Sequence, residues 1–257
     1  MDNDFWQYIS QPPPLSTGAA HVWRAFLDKS EKGLNHLLSV LSIEERQQAN
    51  RFVQAEHRRR FIVAHAALRE ILSCYLNLAP ENIVFIHNAH GKPYLPPSVE
   101  ITTATPNIQF NMSHSNEVAL IAVTRDHEIG IDVQYMKSEI DLEGIAQRFF
   151  APEESRQLIG MPESEKKEAF YRGWTRKEAY TKAIGAGLSF SLSRFVVTLE
   201  AEVGMAALRQ VDHSAQQVAQ WSLGSLHPFQ DYAVALAVFG KITDVQYFEW
   251  QNFAISG

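Results

Sequence analysis

Apolar residues recur along this chain at two spacings, every second position over short stretches and every third or fourth over longer ones. The two regimes succeed one another twice. Residues 1–18, with Pro12, Pro13 and Pro14, read as an extended lead-in, and HVWRAFLD from His21 predicts the first strand and the start of the ordered fold. Ser42 and Glu45 form a capping-box pair opening a helical stretch that reaches about Asn77, with a break expected near His57. Its apolar face is Phe61, Ala64, Leu68, Ile71, Leu72 and Tyr75. NIVFIHN predicts a short strand, HGKPYLP a Gly/Pro turn, and IQFNMSHS with VALIAVT a pair of strands; a tight turn at Asp126 leads into a further strand, IGIDVQ. Helices follow from about Asp141 to Phe150, from Glu153 to Ile159, and along a longer stretch ending at Gly185 and Gly187. The strands FVVTLE, VAQWSLG and YAVALAVFG close the chain. The expected fold class is therefore α+β, two similar α/β halves packed together, divided near residue 126 into 1–125 and 126–257.

One position breaks the helical pattern. Phe170, Trp174 and Glu178 fall four apart and share a helix face, with Thr181 and Lys182 one turn further on, so a carboxylate occupies a stripe otherwise aromatic. Buried without a partner it would cost several kcal/mol or take up a proton, so it needs a cation, a metal or a set of donors. The second acid is Asp132, whose strand alternation puts it on one face with Gln134. Two carboxylates with a neutral amide suit a hard cation such as magnesium, which prefers to share its sphere with phosphate oxygens. The plainer alternative is that Asp132 caps a turn and Glu178 pairs with Lys182 at i+4.

Composition narrows the field. The 257 residues are 46% hydrophobic and 20% charged, as expected of a globular protein with a sizeable core. A formal net charge of −6 excludes a general nucleic-acid binder. Cys74 is the single cysteine, so an intrachain disulfide framework and a cysteine zinc site are excluded, and a buried inert thiol is expected. The N-terminus MDNDFW has neither a basic nor a continuous apolar region of a leader, and the longest apolar run, Tyr232 to Gly240, is short of a membrane span, so a cytoplasmic location with no membrane partner is expected. Local positive charge remains at Arg58, Arg59 and Arg60, which suit a phosphate clamp or a solvated helix face. Gly91, Lys92 and Pro93 form a turn within reach of an anion, or a plain turn. Ser113 and His114 lack the surroundings of a hydrolase nucleophile.

Taken together, GKP at Gly91 to Pro93, FNMSHS at Phe110 to Ser115, GIDVQ at Gly130 to Gln134, RFF at Arg148 to Phe150 and WTRKEAYTKAIGAGL at Trp174 to Leu188 resemble the Sfp-type 4′-phosphopantetheinyl transferases. The resemblance implies two α/β halves related by a pseudo-two-fold, with coenzyme A bound as substrate in the cleft between them. It implies transfer of the 4′-phosphopantetheine arm to a serine of an apo acyl or peptidyl carrier protein, with release of 3′,5′-ADP. Magnesium, or manganese in its place, would be held by Asp132, Glu178 and Gln134; Glu178, or a water it orients, would act as base, and Lys182 would neutralise the leaving diphosphate. Arg60 and His114 would meet the 3′-phosphate, Lys92 in the Gly91–Lys92–Pro93 turn would lie at the adenine end, and Ser113 would hydrogen-bond. Gln134 stands where many members carry glutamate, which predicts weaker metal binding without loss of activity. Glu45, Gln47 and Gln48 stand where some relatives have lysines, leaving Arg46 and Arg51 as positive charge there. A monomer is expected, since one chain supplies both halves. The competing reading is a non-catalytic module that binds coenzyme A or a carrier protein.

Overall fold

The computed structural model describes residues 5–9, 11–28, 31–96, 107–201, 204–212, 214–226, 229 and 231–251. In the first part of the chain lie β1 (Gln7–Tyr8), β2 (Ala19–Phe26), α1 (Glu31–Ser39), α2 (Ile43–Ala49), α3 (Ala55–Leu76), β3 (Ile86–His87), β4 (Pro93–Tyr94), β5 (Ile108–Ser115) and β6 (Val118–Arg125). The second part holds β7 (Ile129–Tyr135), α4 (Leu142–Phe149), α5 (Pro152–Ile159), α6 (Glu163–Ile184), β8 (Phe195–Val197), β9 (Leu208–Val211), α7 (Ala215–Ala219), β10 (Trp221–Ser225), β11 (Tyr232–Phe239) and β12 (Asp244–Glu249). One sheet has the order β1-β12-β2-β6-β5 and the other β10-β11-β7. No helix among the described residues is long and apolar enough to cross a membrane.

The two sheets lie between the two long helices, which explains why their strands read as continuous apolar runs. On β6, Val118, Leu120 and Ala122 pack with Ile129, Ile131 and Val133 of β7 and with Leu236 and Val238 of β11, forming the core between the sheets. The alternate residues Ala119, Ile121 and Val123 turn outward to Ala64, Leu68 and Ile71 of α3. Likewise Ala235 and Ala237 of β11 meet Ala179 and Ala183 of α6. Each half is thus a sheet with a helix on its outer face, the two-part α+β plan read from the sequence. The chain's end departs from a simple division at residues 125 and 126, because β12 returns to the first sheet and pairs parallel with β1 and β2.

Several local expectations hold and others shift. Ser42 and Glu45 form the capping box, Glu45 N–H donating to Ser42 Oγ at 3.2 Å and Ser42 N–H to Glu45 Oε2 at 2.9 Å. The helical stretch breaks at residues 50–54, not near His57, which lies inside α3, because Asn50 ends α2 and Gln54 begins the next helix. β2 starts at Ala19, two residues before His21. NIVFIHN yields only the two-residue β3, and FVVTLE yields strand at Phe195–Val197. The short elements α7 and β9 have little periodicity and were not legible in the pattern; α1 is short but amphipathic, with Leu34, Leu37 and Leu38 on one face, and was missed. Cys74 is half-buried with its thiol donating to the Glu70 carbonyl at 3.4 Å, and burial pushes its pKa up.

Candidate active site

The site begins with Gly130. A Cβ built on it would lie 2.1 Å from the Ala179 carbonyl oxygen and 2.4 Å from the Ala183 nitrogen. Only a bare backbone lets α6 sit this close to β7, and that approach sets Asp132 on the strand beneath Glu178 and Lys182 on the helix. Gly185, at φ +64°, ends the helix in the left-handed conformation expected of a C-terminal glycine.

A second device joins the sheets. β5 and β7 lie side by side without a backbone ladder between them; instead the side chains at every second position of β5 accept the amides of β7. Ile131 N–H donates to Asn111 Oδ1 at 2.9 Å, Val133 N–H to Ser113 Oγ at 3.3 Å and Tyr135 N–H to Ser115 Oγ at 2.9 Å. Three polar side chains so stand in for the carbonyls of a missing strand pairing, leaving few buried amides unsatisfied at the seam. Asn111 and Ser115 escaped the sequence reading as site residues; the signal was a polar residue at i, i+2 and i+4 of a strand otherwise largely apolar.

At this seam Asp132 is almost wholly buried and doubly held: Lys182 Nζ donates to its Oδ1 at 2.7 Å and Ser113 Oγ donates to the same oxygen at 2.9 Å. Lys182 also donates to Ser113 Oγ at 2.8 Å, and the Gln134 amide nitrogen reaches Asp132 Oδ2 at 3.3 Å. Asp132 sits mid-strand and caps no turn. Lys182 is committed to it, so the simple i+4 pair between Glu178 and Lys182 is not formed, and Glu178 has no hydrogen bond or ion pair among the described residues. Burial first, and then the negative charge of Asp132, raise the Glu178 pKa, with Lys182 opposing. Glu178 is thus a half-buried carboxylate with spare basicity, close enough to a second acid to feel its charge.

Glu178 and Lys182 line a cavity of about 720 Å³ together with Trp174 and Thr181 of α6, Asn111 and Met112 of β5, the turn His90 to Pro93, Arg148 and Phe149 at the end of α4, and a wall of Gly187, Ser189, Phe190, Ser191 and Leu192. The wall and the Arg148–Phe149 corner were not assigned a role by their residue types, since glycine, serine and isolated aromatics carry no chemical signature of their own. Gly91 and Pro93 line the cavity as expected. Lys92 lines it too, but its ammonium donates to the carbonyls of Ala183 at 2.8 Å and Ile129 at 3.1 Å, tying the turn to the end of α6, and burial lowers its pKa to about 8. Arg60 lies at the start of the first half's helix, where it pairs with Asp28 and Glu56 and reaches Asn116. His114 has its pKa lowered by burial and by the Lys182 charge beside it.

Among the described residues no group of three or more His, Cys, Asp or Glu side chains is arranged for a metal ion. The donor set is Asp132, Glu178 and the Gln134 amide, all hard oxygens and one charge short of three acids. The unpaired Glu178 carboxylate, repelled by Asp132, fits a divalent cation, which would relieve the repulsion that adds to burial in raising its pKa.

Comparison with known proteins agrees along nearly the whole chain. Residues 26–126 match the family described as 4′-phosphopantetheinyl transferase, N-terminal, and residues 128–237 match the 4′-phosphopantetheinyl transferase superfamily. The chain is 37% identical over 246 residues to 4′-phosphopantetheinyl transferase HetI of Nostoc sp., covering 95% of each protein. It is 35% identical to 4′-phosphopantetheinyl transferase psf-1 of Bacillus pumilus, over 80% of this chain and 82% of that one. Against 4′-phosphopantetheinyl transferase Sfp of Bacillus subtilis it is 31% identical, over 69% of this chain and 76% of that one.

Proposed function

The chain belongs to the 4′-phosphopantetheinyl transferase superfamily, and on that premise we propose that its cleft moves the phosphopantetheine arm of coenzyme A onto a serine hydroxyl of an acyl or peptidyl carrier protein, releasing 3′,5′-ADP. The observation that carries the reading is the unpaired Glu178, held with a raised pKa in the cavity wall one helical turn from Lys182. A carboxylate in that state is suited to take the proton of an incoming hydroxyl, because its basicity is not spent on a partner. Lys182 presents a fixed positive charge, oriented by Asp132 and Ser113, toward the side where charge grows on the leaving diphosphate. Gly91 and Pro93 offer a narrow turn to the nucleotide end, Arg60 supplies positive charge on the first half, and His114, its pKa lowered, offers a neutral imidazole as a hydrogen-bonding group. Magnesium held by Asp132, Glu178 and Gln134 would supply Lewis-acid neutralisation of the diphosphate oxygens.

The test is incubation of the purified protein with coenzyme A, magnesium and an apo carrier protein, read by intact mass. A carrier heavier by one phosphopantetheine, with 3′,5′-ADP in equal amount, supports the reading. Nucleotide release without carrier modification would point to hydrolysis, and neither product to a binding module.

A further inference from the structure

Thr181 carries an unexplained polar group. Its side chain is 5% exposed, and its Oγ1 is buried with no hydrogen-bond partner among the described residues, though the residue lines the cavity. A helical threonine ordinarily satisfies its hydroxyl on the carbonyl three or four residues back, and that bond is absent. A hydroxyl left unsatisfied beside a cavity calls for a partner from outside the fold, an ordered water or a substrate.

Its position on the helix says which part of the substrate. Lys182 points to Asp132 and Ser113, and Thr181 is turned about 100° away from it. Four residues before Thr181 on that same side, Lys177 Nζ donates to the Leu192 carbonyl at 2.8 Å, so this face of α6 looks at the wall that contains Leu192. The lining there is Trp174, Phe190 and Leu192 with Ser189 and Ser191, apolar and neutral polar groups that suit an uncharged amide chain more than a phosphate. One staggered step of χ1 redirects the hydroxyl at nearly constant volume.

We infer that Thr181 is a substrate-contacting residue whose hydroxyl turns into the cleft to hydrogen-bond an amide of the pantetheine arm. The inference rests on coenzyme A being the ligand of this cleft. Titration calorimetry of coenzyme A and of 3′,5′-ADP, with thermal melts, on the unsubstituted protein, Thr181→Val and Thr181→Ser tests it. Valine should weaken coenzyme A about fivefold, the size of one neutral hydrogen bond, and leave 3′,5′-ADP within about twofold. The same variant should melt about 2–4 °C higher, since it removes a buried unsatisfied hydroxyl. Serine, which keeps the hydroxyl, should hold coenzyme A within about twofold. Unchanged coenzyme A affinity in Thr181→Val, equal losses for both ligands, or a lower melting temperature together with weaker binding would each overturn it. If the unsubstituted protein binds no coenzyme A, the reading of the cleft falls and takes this inference with it.

Discussion

The two long helices occupy equivalent places on the two sheets, each 22 residues long and each ending in a left-handed residue, Asn77 at φ 52° and Gly185 at φ 64°. They are held by different partners. α3 buries Ile62, Val63, Ala64, Ala66, Ala67, Leu68, Ile71 and Leu72, an apolar face worth about 1.5–3 kcal/mol for each large side chain, and beside it Arg69, which donates to Glu45 Oε2 at 2.6 Å and to the carbonyls of Pro80 and Ile83, both at 2.9 Å, and Glu70, which accepts from Trp250 Nε1 at 2.9 Å. α6 buries Thr175, Arg176 and Lys177 in succession. Arg176 donates to the carbonyls of Thr198 at 2.6 Å and Glu200 at 2.9 Å, while Lys177 donates to Glu154 Oε2 at 2.7 Å and to the carbonyls of Leu192 and Phe195. Glu154 in turn accepts from the amides of Ala151 and Val197, both at 2.7 Å. An apolar face fixes how deeply a helix sits; directional bonds from two adjacent residues also fix its rotation. Both helices are secured in this way, and on α6 the bonded pair stands directly before Glu178, so it also aims the site.

Substitutions can break this contrast, beginning with the aimed residue itself. Glu178→Gln keeps size and polarity but removes the base, so carrier modification should fall by about 10³-fold or more while the melting temperature holds or rises. Transfer at an unaltered rate would mean that this carboxylate has no part in the chemistry. Lys177→Met should cost about 3–5 kcal/mol in denaturant unfolding, because it strands Glu154 in the interior. The volume-matched Leu68→Met on α3 should cost less than about 1.5 kcal/mol. Equal costs would mean that the Lys177 bonds secure α6 no more than ordinary apolar packing does. Gly130→Ala forces α6 off β7 and should lose about 3 kcal/mol along with activity.

The first half carries its own liability in acid. His21 is fully buried, with Nδ1 on the Tyr75 hydroxyl at 2.8 Å and no partner at Nε2 among the described residues, and burial lowers its pKa to about 4. The native state therefore resists a proton that the unfolded chain accepts near pH 6.5. The stability associated with a neutral His21 is complete above that pH and is lost progressively as the pH falls toward 4, by up to about 3 kcal/mol. Unfolding measured across this window should lose most of its slope in His21→Gln; an unchanged slope would assign it to other groups.

Much of the plan was written in local pattern. The capping box at Ser42, the glycine stop at Gly185, the turn at Asp126 and the strand around Asp132 all follow from neighbours within a few residues. Glu178 declared itself by sitting on an aromatic stripe. What the pattern did not carry depends on residues far apart in the chain: Lys92 spending its ammonium on carbonyls of Ile129 and Ala183, Lys182 choosing Asp132 over Glu178, and β12 returning to the first sheet. The role of Gly130 was hidden for the same reason, since a glycine in a strand reveals its purpose only when the helix above it is in place.

We propose that Asp132 and Glu178 serve one ion. Magnesium titrated calorimetrically into the protein with coenzyme A present, for Asp132→Asn, Glu178→Gln and the double variant, tests it most directly. A shared ion predicts that each single substitution removes nearly as much affinity as the pair together. Losses that simply add, or a Glu178→Gln variant that binds magnesium as the unsubstituted protein does, would contradict it.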